Sequence, residues 1–177
     1  GVMPGPFEIE GMSSVGPATL PGWRGIDAAA MLTEALGETV IVENDATAAA
    51  VGERLHGAGR TCQDFCFIYF GVGIGLGIIH EGRPMRGAFG NAGELGHVAV
   101  PPRGRPGLAG GDATLERIAS VYALRERLAA AGRPAHRIED LADCHHAGDP
   151  VLAEWIANAA DYLSPVVGLL ENILDPE

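Results

Sequence analysis

Gly71-Val72-Gly73-Ile74-Gly75-Leu76-Gly77 is the stretch that most restricts how this chain can fold. Four glycines at a spacing of two leave one face of an extended strand bare, while Val72, Ile74 and Leu76 fill the other. A bare face or a tight turn lets a phosphate or another backbone approach closely. Tight packing of a helix against that face would use the same feature, and both readings stay open at this level. The nearly apolar run that contains it, residues 66–79, is 14 residues long and broken by glycine. That is too short to span a bilayer.

Around this stretch the pattern alternates between strand and helix. Asp27 is placed to cap a helix over residues 28–36 that Gly37 ends. Residues 39–43, β-branched from Thr39 to Val42, predict a short strand. Asp45 then opens a helix over residues 46–56, whose alanines favour it. Residues 65–70 and 74–80 predict buried strands, with a turn at Glu81-Gly82-Arg83-Pro84. Residues 86–96 read as a glycine-rich loop, 97–100 as a short strand and 101–113 as a Pro/Gly loop. From Thr114 the chain turns helical, over residues 115–119 and 121–131. Asp149-Pro150 starts a long helix in which Pro165 should introduce a kink. This order indicates an α/β or α+β fold.

Charge and composition exclude several functions. The 177 residues carry a net charge of −11, so the chain by itself is a poor binder of phosphate backbones. All 12 basic residues are arginine, which excludes a P-loop lysine, a Schiff-base lysine and a Ser-Lys dyad within these residues. Cys62, Cys66 and Cys144 form a sparse, odd set, so no disulfide framework is expected and a reducing cytoplasm is the expected location. Gly-Val-Met-Pro-Gly-Pro at the start lacks the basic and apolar regions of a signal peptide. With no Met at position 1, the chain is expected to be a piece of something longer.

Four places can carry chemistry. At Glu43-Asn44-Asp45 a strand ends and a helix begins, the position where open α/β folds bind ligands. There Asp45 can take a proton from a substrate hydroxyl while Asn44 holds a neighbouring one, or Asp45 can simply cap the helix. The glycine stretch is the second. Gly93-Glu94-Leu95-Gly96-His97 sets a Glu and a His three apart between glycines, as loop ligands or as plain surface residues. Glu116, in a first helical turn, either binds or complements the helix dipole. Cys144-His145-His146 has metal-like composition but sits in a polar connector and is expected to be a solvated turn.

Taken in order, several stretches resemble the ROK family of bacterial repressors, open reading frames and sugar kinases. They are Pro4-Gly5-Pro6, Leu20-Pro21-Gly22-Trp23, Glu43-Asn44-Asp45-Ala46, the glycines from Gly71 to Gly77, Gly87-Ala88-Phe89-Gly90-Asn91-Ala92-Gly93-Glu94-Leu95-Gly96-His97, Leu115-Glu116-Arg117-Ile118-Ala119-Ser120 and Leu174-Asp175-Pro176-Glu177. The resemblance implies a ribonuclease-H-like α/β fold of the actin/hexokinase type, incomplete at both ends. Residues 1–43 would belong to the first lobe. Residues 44–177 would carry the sugar site, the glycine loop and a helical second lobe. It implies that Asp45 is the base of a kinase, that Asn44, Asp45, Glu94, His97 and Glu116 bind the sugar, and that Gly71, Gly73 and Gly75 form a phosphate loop.

The chain departs from the family in three respects. The family's Asp-x-Gly-Gly-Thr nucleotide hairpin and its last glycine-rich nucleotide strand are not in this sequence. The family's zinc loop carries one His and three Cys; here His97 remains, and the cysteine positions fall on Gly107, Ala109 and Thr114. The spacing of 19 from His97 to Glu116 is kept, yet zinc is expected to be absent. The usual Gly-Thr-Gly reads Gly71-Val72-Gly73, which replaces a phosphate-bonding hydroxyl with methyls. The main expectation is therefore a sugar-sensing module of a transcriptional regulator of sugar metabolism. It would meet DNA only through a domain outside this chain, and sugar would shift its conformational equilibrium. The alternative is a kinase of hexoses or N-acetylhexosamines that uses ATP and magnesium. A homodimer or homotetramer, with no membrane partner, is expected in either case.

Overall fold

The computed structural model describes residues 1–5, 7–8, 13–14, 26–101 and 113–177. The chain forms two compact units. One comprises Gly1–Tyr69, Gly75–Glu94 and Pro176–Glu177; the other comprises Phe70–Ile74 and Leu95–Asp175.

The first unit begins with three two-residue strands, β1 (Val2–Met3), β2 (Phe7–Glu8) and β3 (Ser13–Ser14), of which β2 and β3 pair antiparallel. Helix α1 (Ala28–Leu36) has the expected bounds. The Asp27 carboxylate accepts the Ala30 N–H at 2.9 Å. Gly37 ends the helix at φ 70°, where a side chain would be strained. The strand expected over residues 39–43 is reduced to β4 (Glu43–Asn44), parallel to β1 with Val2 opposite Glu43 and Met3 opposite Asn44. Ahead of it the backbone is satisfied by other means: the Thr33 hydroxyl accepts the Val40 N–H at 3.0 Å, and the Gly1 nitrogen donates to the Ile41 carbonyl at 2.6 Å. Strand propensity expresses itself only where a partner strand is in reach.

Helix α2 (Asp45–His56) follows at once. Its cap is Asn44 and not Asp45: Asn44 Oδ1 accepts the Thr47 N–H at 3.0 Å, while Asp45 Oδ1 accepts the adjacent Ala46 N–H at 2.9 Å. The long strands β5 (Phe65–Phe70) and β6 (Ile74–His80) have the bounds read from the sequence. With β7 (Arg83–Pro84) they form a sheet in the order β5-β6-β7, and β6 and β7 run antiparallel around the positive-φ pair Glu81-Gly82.

On β6 the bare glycine face packs against α2. A Cβ at Gly75 would stand 2.7 Å from the Ala46 Cβ, and one at Gly77 would stand 2.5 Å from the Ala46 carbonyl oxygen and collide with the Ala50 Cβ. Ala50, Phe65 and Ile79 make a buried cluster here, with Val51, Cys62 and Phe67 against it.

The second unit is mainly helical. The expected strand over residues 97–100 is instead a 3₁₀ turn, Leu95–His97, followed by a single antiparallel bridge between Ala99 and Thr114. Helices α3 (Leu115–Ala119) and α4 (Val121–Ala130) are separated by Ser120, a fully buried residue whose hydroxyl accepts the Ala123 N–H at 3.2 Å. Cys144, His145 and His146 lie in the last turn of helix α5 (Ile138–His146) and not in a connector, with both histidines exposed. The helix is made by its N-terminal carboxylate: Asp140 accepts the His136 and Arg137 N–H groups at 2.9 and 2.8 Å.

Helix α6 (Pro150–Leu174) starts where the sequence placed it and continues through Pro165 without a break. Asp149, buried, accepts the Val151 and Leu152 N–H groups at 2.8 and 3.2 Å and pairs with Arg133. The core of this unit is Leu115, Ile118, Leu128 and the α6 face of Leu152, Trp155, Ala159, Tyr162 and Val166. Among the described residues no helix is long and apolar enough to cross a membrane.

Candidate functional site

In the first unit the polar candidates gather where β4 ends and α2 begins. Asn44 and Asp45 are half-buried, and so is Glu94 at the end of the glycine loop. The Asn44 side chain uses its oxygen to cap α2, which leaves its Nδ2 turned toward Gly5. A Cβ built on Gly5 would stand 3.1 Å from Asn44 Nδ2 and would collide with Glu94 Oε1. An amide donor and a carboxylate acceptor thus share the space above one glycine, and a side chain at position 5 would fill it.

The loop that brings Glu94 there is tightly tied. The Ala92 N–H donates to the Arg86 carbonyl at 3.0 Å, and the Leu76 N–H on β6 donates to the Gly93 carbonyl at 2.9 Å. Gly87, Gly90 and Gly93 have φ between 73° and 95°, which explains their place in the motif. Gly93 also lies against the Leu76 carbonyl, where no side chain fits.

In the second unit the candidates gather at the β5–β6 turn. The Gly71 N–H donates to the Gly73 carbonyl at 3.0 Å, and the Tyr122 N–H in the first turn of α4 donates to the Val72 carbonyl at 3.1 Å. Glu116 does more than complement a helix dipole. Its Oε2 accepts the Ile74 N–H at 3.0 Å and occupies the space where a Gly73 side chain would be. It also limits Gly96, whose Cβ would stand 3.1 Å from the same oxygen and 2.5 Å from the Ile74 carbonyl. Phe70 packs edge-on against Trp155, with ring centroids 6.2 Å apart. Val72 is 61% exposed. His97 closes the 3₁₀ turn with an exposed side chain.

The glycine stretch therefore has two roles. Gly71 and Gly73 make a turn bounded by a carboxylate. Gly75, grouped with them by resemblance, faces Ala46 and serves helix packing.

The donor chemistry does not fit the zinc that the family's loop holds. Of the four loop positions, His97 alone supplies a zinc-binding side chain. The Thr114 hydroxyl faces the Arg117 N–H as the cap of α3, and Gly107 and Ala109 lie outside the described residues. Among the described residues no three His, Cys, Asp or Glu side chains are grouped to hold a metal. Cys62, Cys66 and Cys144 are free thiols, and burial pushes the Cys66 thiol pKa up, away from nucleophilic chemistry.

Sequence reasoning missed one pair at this site. Arg86 donates from Nε and Nη2 to Glu43 Oε2 at 2.9 and 2.5 Å, a contact 43 residues apart in sequence. The motif Glu43-Asn44-Asp45 was legible, but no local pattern links it to Arg86.

Comparison with known proteins accords with this arrangement. A match to the ROK family spans residues 3–177. The glucokinase of Halalkalibacterium halodurans is 34% identical over 172 residues, a match that covers 88% of this chain and 52% of the relative. The xylose repressor of Bacillus spizizenii is 28% identical over 155 residues, covering 88% of this chain and 40% of the relative. Among solved structures, the ROK hexokinase of Thermus thermophilus superposes with a TM-score of 0.76 at 31% identity, covering 99% of this chain and 58% of that one. The chain spans about half the length of the curated relatives it matches. The α/β class and the actin/hexokinase-type fold implied by the resemblance both hold, and the chain belongs to the ROK family.

Proposed function

We propose that this chain is a sugar-binding ROK module that acts as the effector-sensing part of a transcriptional regulator of sugar metabolism. The observation that carries the sugar reading is that the Asn44 amide and the Glu94 carboxylate both face the space above Gly5. A sugar hydroxyl is both donor and acceptor, so one amide N–H and one carboxylate oxygen side by side match it. Asp45 follows Asn44 as the first residue of α2. His97 and Glu116 enter the reading through their match to the family motif. The loop with Gly107, Ala109 and Thr114 in place of cysteines works without zinc, and the module is a homodimer or homotetramer in the cytoplasm.

The turn at residues 71–73 supports sensing over phosphoryl transfer. Catalysis of that transfer rests on positioning and on positive or donor groups around the phosphate. Here the Ile74 N–H is already bonded to the Glu116 carboxylate, and Val72 offers methyls where a hydroxyl would bond. A phosphate at Gly73 would meet an anion. The second reading, an ATP- and magnesium-dependent kinase of a hexose or N-acetylhexosamine, is favoured by Asp45 at the strand end and by the glucokinase relative.

The test is ADP release by the full-length protein with D-glucose, D-fructose, D-xylose, N-acetyl-D-glucosamine and N-acetyl-D-mannosamine, run beside Val72→Thr. Turnover at the no-sugar background, together with measurable sugar binding, is the expected result. Turnover of roughly 1–100 per second with any of these sugars overturns the regulator reading.

A further inference from the structure

Of the charged groups near Asn44 and Glu94, the Glu43–Arg86 pair is the one the reading above leaves without a role. Glu43 divides its carboxylate between two partners. Oε2 receives both Arg86 N–H groups, and Oε1 accepts the backbone N–H of Asn44 at 3.1 Å. Arg86 is also the first residue of the tight loop that its own carbonyl closes onto Ala92, the loop that delivers Glu94. The carboxylate of Glu43 thus joins the guanidinium of one segment to the main chain of the other. Asn44 lies directly after Glu43, and its side chain is committed at one end to the α2 cap.

We infer that Arg86 is a positioning residue for ligand binding: through Glu43 it holds the Asn44 backbone in register with the loop that presents Glu94. The proposal rests on the sugar-binding reading of that pair. Physically, Asn44 Nδ2 and Glu94 Oε1 are useful only if both stand over Gly5 at once, and they come from segments about 50 residues apart in sequence. The strand pairing around Glu43 does little to hold it, since β4 and its partner β1 are two residues each. A guanidinium with two N–H groups on one carboxylate oxygen sets direction as well as distance, which an ammonium cannot do. The Arg86 side chain is 53% exposed and that of Glu43 23%, so the pair adds little to global stability. Its effect falls on local geometry.

The experiment measures two quantities on Arg86→Ala, Arg86→Lys, Glu43→Gln and the Arg86→Ala/Glu43→Gln double variant. The first is amide exchange without ligand at Asn44, Ala46 and Thr47. The second is affinity by calorimetry for D-glucose, D-xylose and N-acetyl-D-glucosamine, with melting temperature as the check on folding.

Arg86→Ala is expected to exchange faster at Asn44 and to bind the preferred sugar about tenfold more weakly, with melting within a few degrees of wild type. Arg86→Lys recovers only part of the affinity, and the double variant loses no more than the worse single one, because both act through one link. Unchanged exchange and affinity in Arg86→Ala, or losses that add in the double variant, overturn the proposal. If no sugar binds wild type, the sugar reading itself fails, and the exchange rates alone then decide whether Arg86 holds the Asn44 backbone.

Discussion

Gly77→Ala is the sharpest test of how this fold places its candidate site. The added Cβ would stand 2.5 Å from the Ala46 carbonyl oxygen and closer still to the Ala50 Cβ, against 3.4 Å or more for ordinary contact. The obstacle is helix backbone and a methyl group with no rotamer to yield, so α2 must lift from β6 by close to 1 Å. In a close-packed interior such a shift strains neighbouring contacts as well. Overpacking of this kind costs ~1–3 kcal/mol, and a chain of this size loses about 2–4 °C of melting temperature per kcal/mol. Because α2 carries Asn44 as its cap and Asp45 as its first residue, sugar affinity should fall along with stability.

Gly52→Ala is the control. It lies on the same helix with nothing within 4 Å of the new Cβ, and it should stabilise by ~0.5–1 kcal/mol. Adding Ala50→Gly to Gly77→Ala should restore part of the loss, since the Ala46 carbonyl remains. Thermal and urea unfolding of the three variants decide the matter. Gly77→Ala within about 0.5 kcal/mol of wild type refutes the packing account of the glycine ladder.

Three further outcomes are expected. Glu94→Ala and His97→Ala should each weaken sugar binding about tenfold by calorimetry, since a lost partner in a partly desolvated site costs ~1–3 kcal/mol; unchanged affinity in both would place the ligand elsewhere. Purified protein should contain no stoichiometric zinc by elemental analysis, and chelator should leave its melting temperature alone; one zinc per chain contradicts the reading of the loop. Asp140 is held below its ordinary value of 3.8, chiefly by the Arg137 and His136 backbone N–H groups. Its contribution to α5 is therefore present above that ordinary value and is lost as pH falls through the lower folded one. Asp140→Asn should flatten the acid side of the stability profile, and a profile identical to wild type would exclude this role.

Helix ends and long strands were legible because their causes are local. Asp27 and Gly37 bracket α1, Asp149 and Pro150 start α6, and the runs 65–70 and 74–80 are largely apolar, with Phe, Tyr and Ile at most of their large positions. The family motif was legible for the same reason: Asn44 and Asp45 lie at one strand-to-helix junction, and Glu94 follows Gly87, Gly90 and Gly93, whose backbone angles are necessary. The strand predicted over 39–43 shrank because a strand exists only with a partner, and that partner, β1, is two residues long. The cap of α2 moved from Asp45 to Asn44 through a one-residue difference in where the helix begins, below what propensity can resolve.

Tertiary structure alone decided which reading of the glycines holds. Gly75 and Gly77 are bare because Ala46 and Ala50 lie on them, and Gly73 is bare because the Glu116 carboxylate does. It alone joined Glu43 to Arg86 and set Asn44 beside Glu94 over Gly5. These contacts link residues far apart in the chain, 43 positions for Glu116 with Gly73 and for Glu43 with Arg86. Such pairings follow from how helices and sheets pack, and local sequence carries the residue types that permit them without stating which will meet.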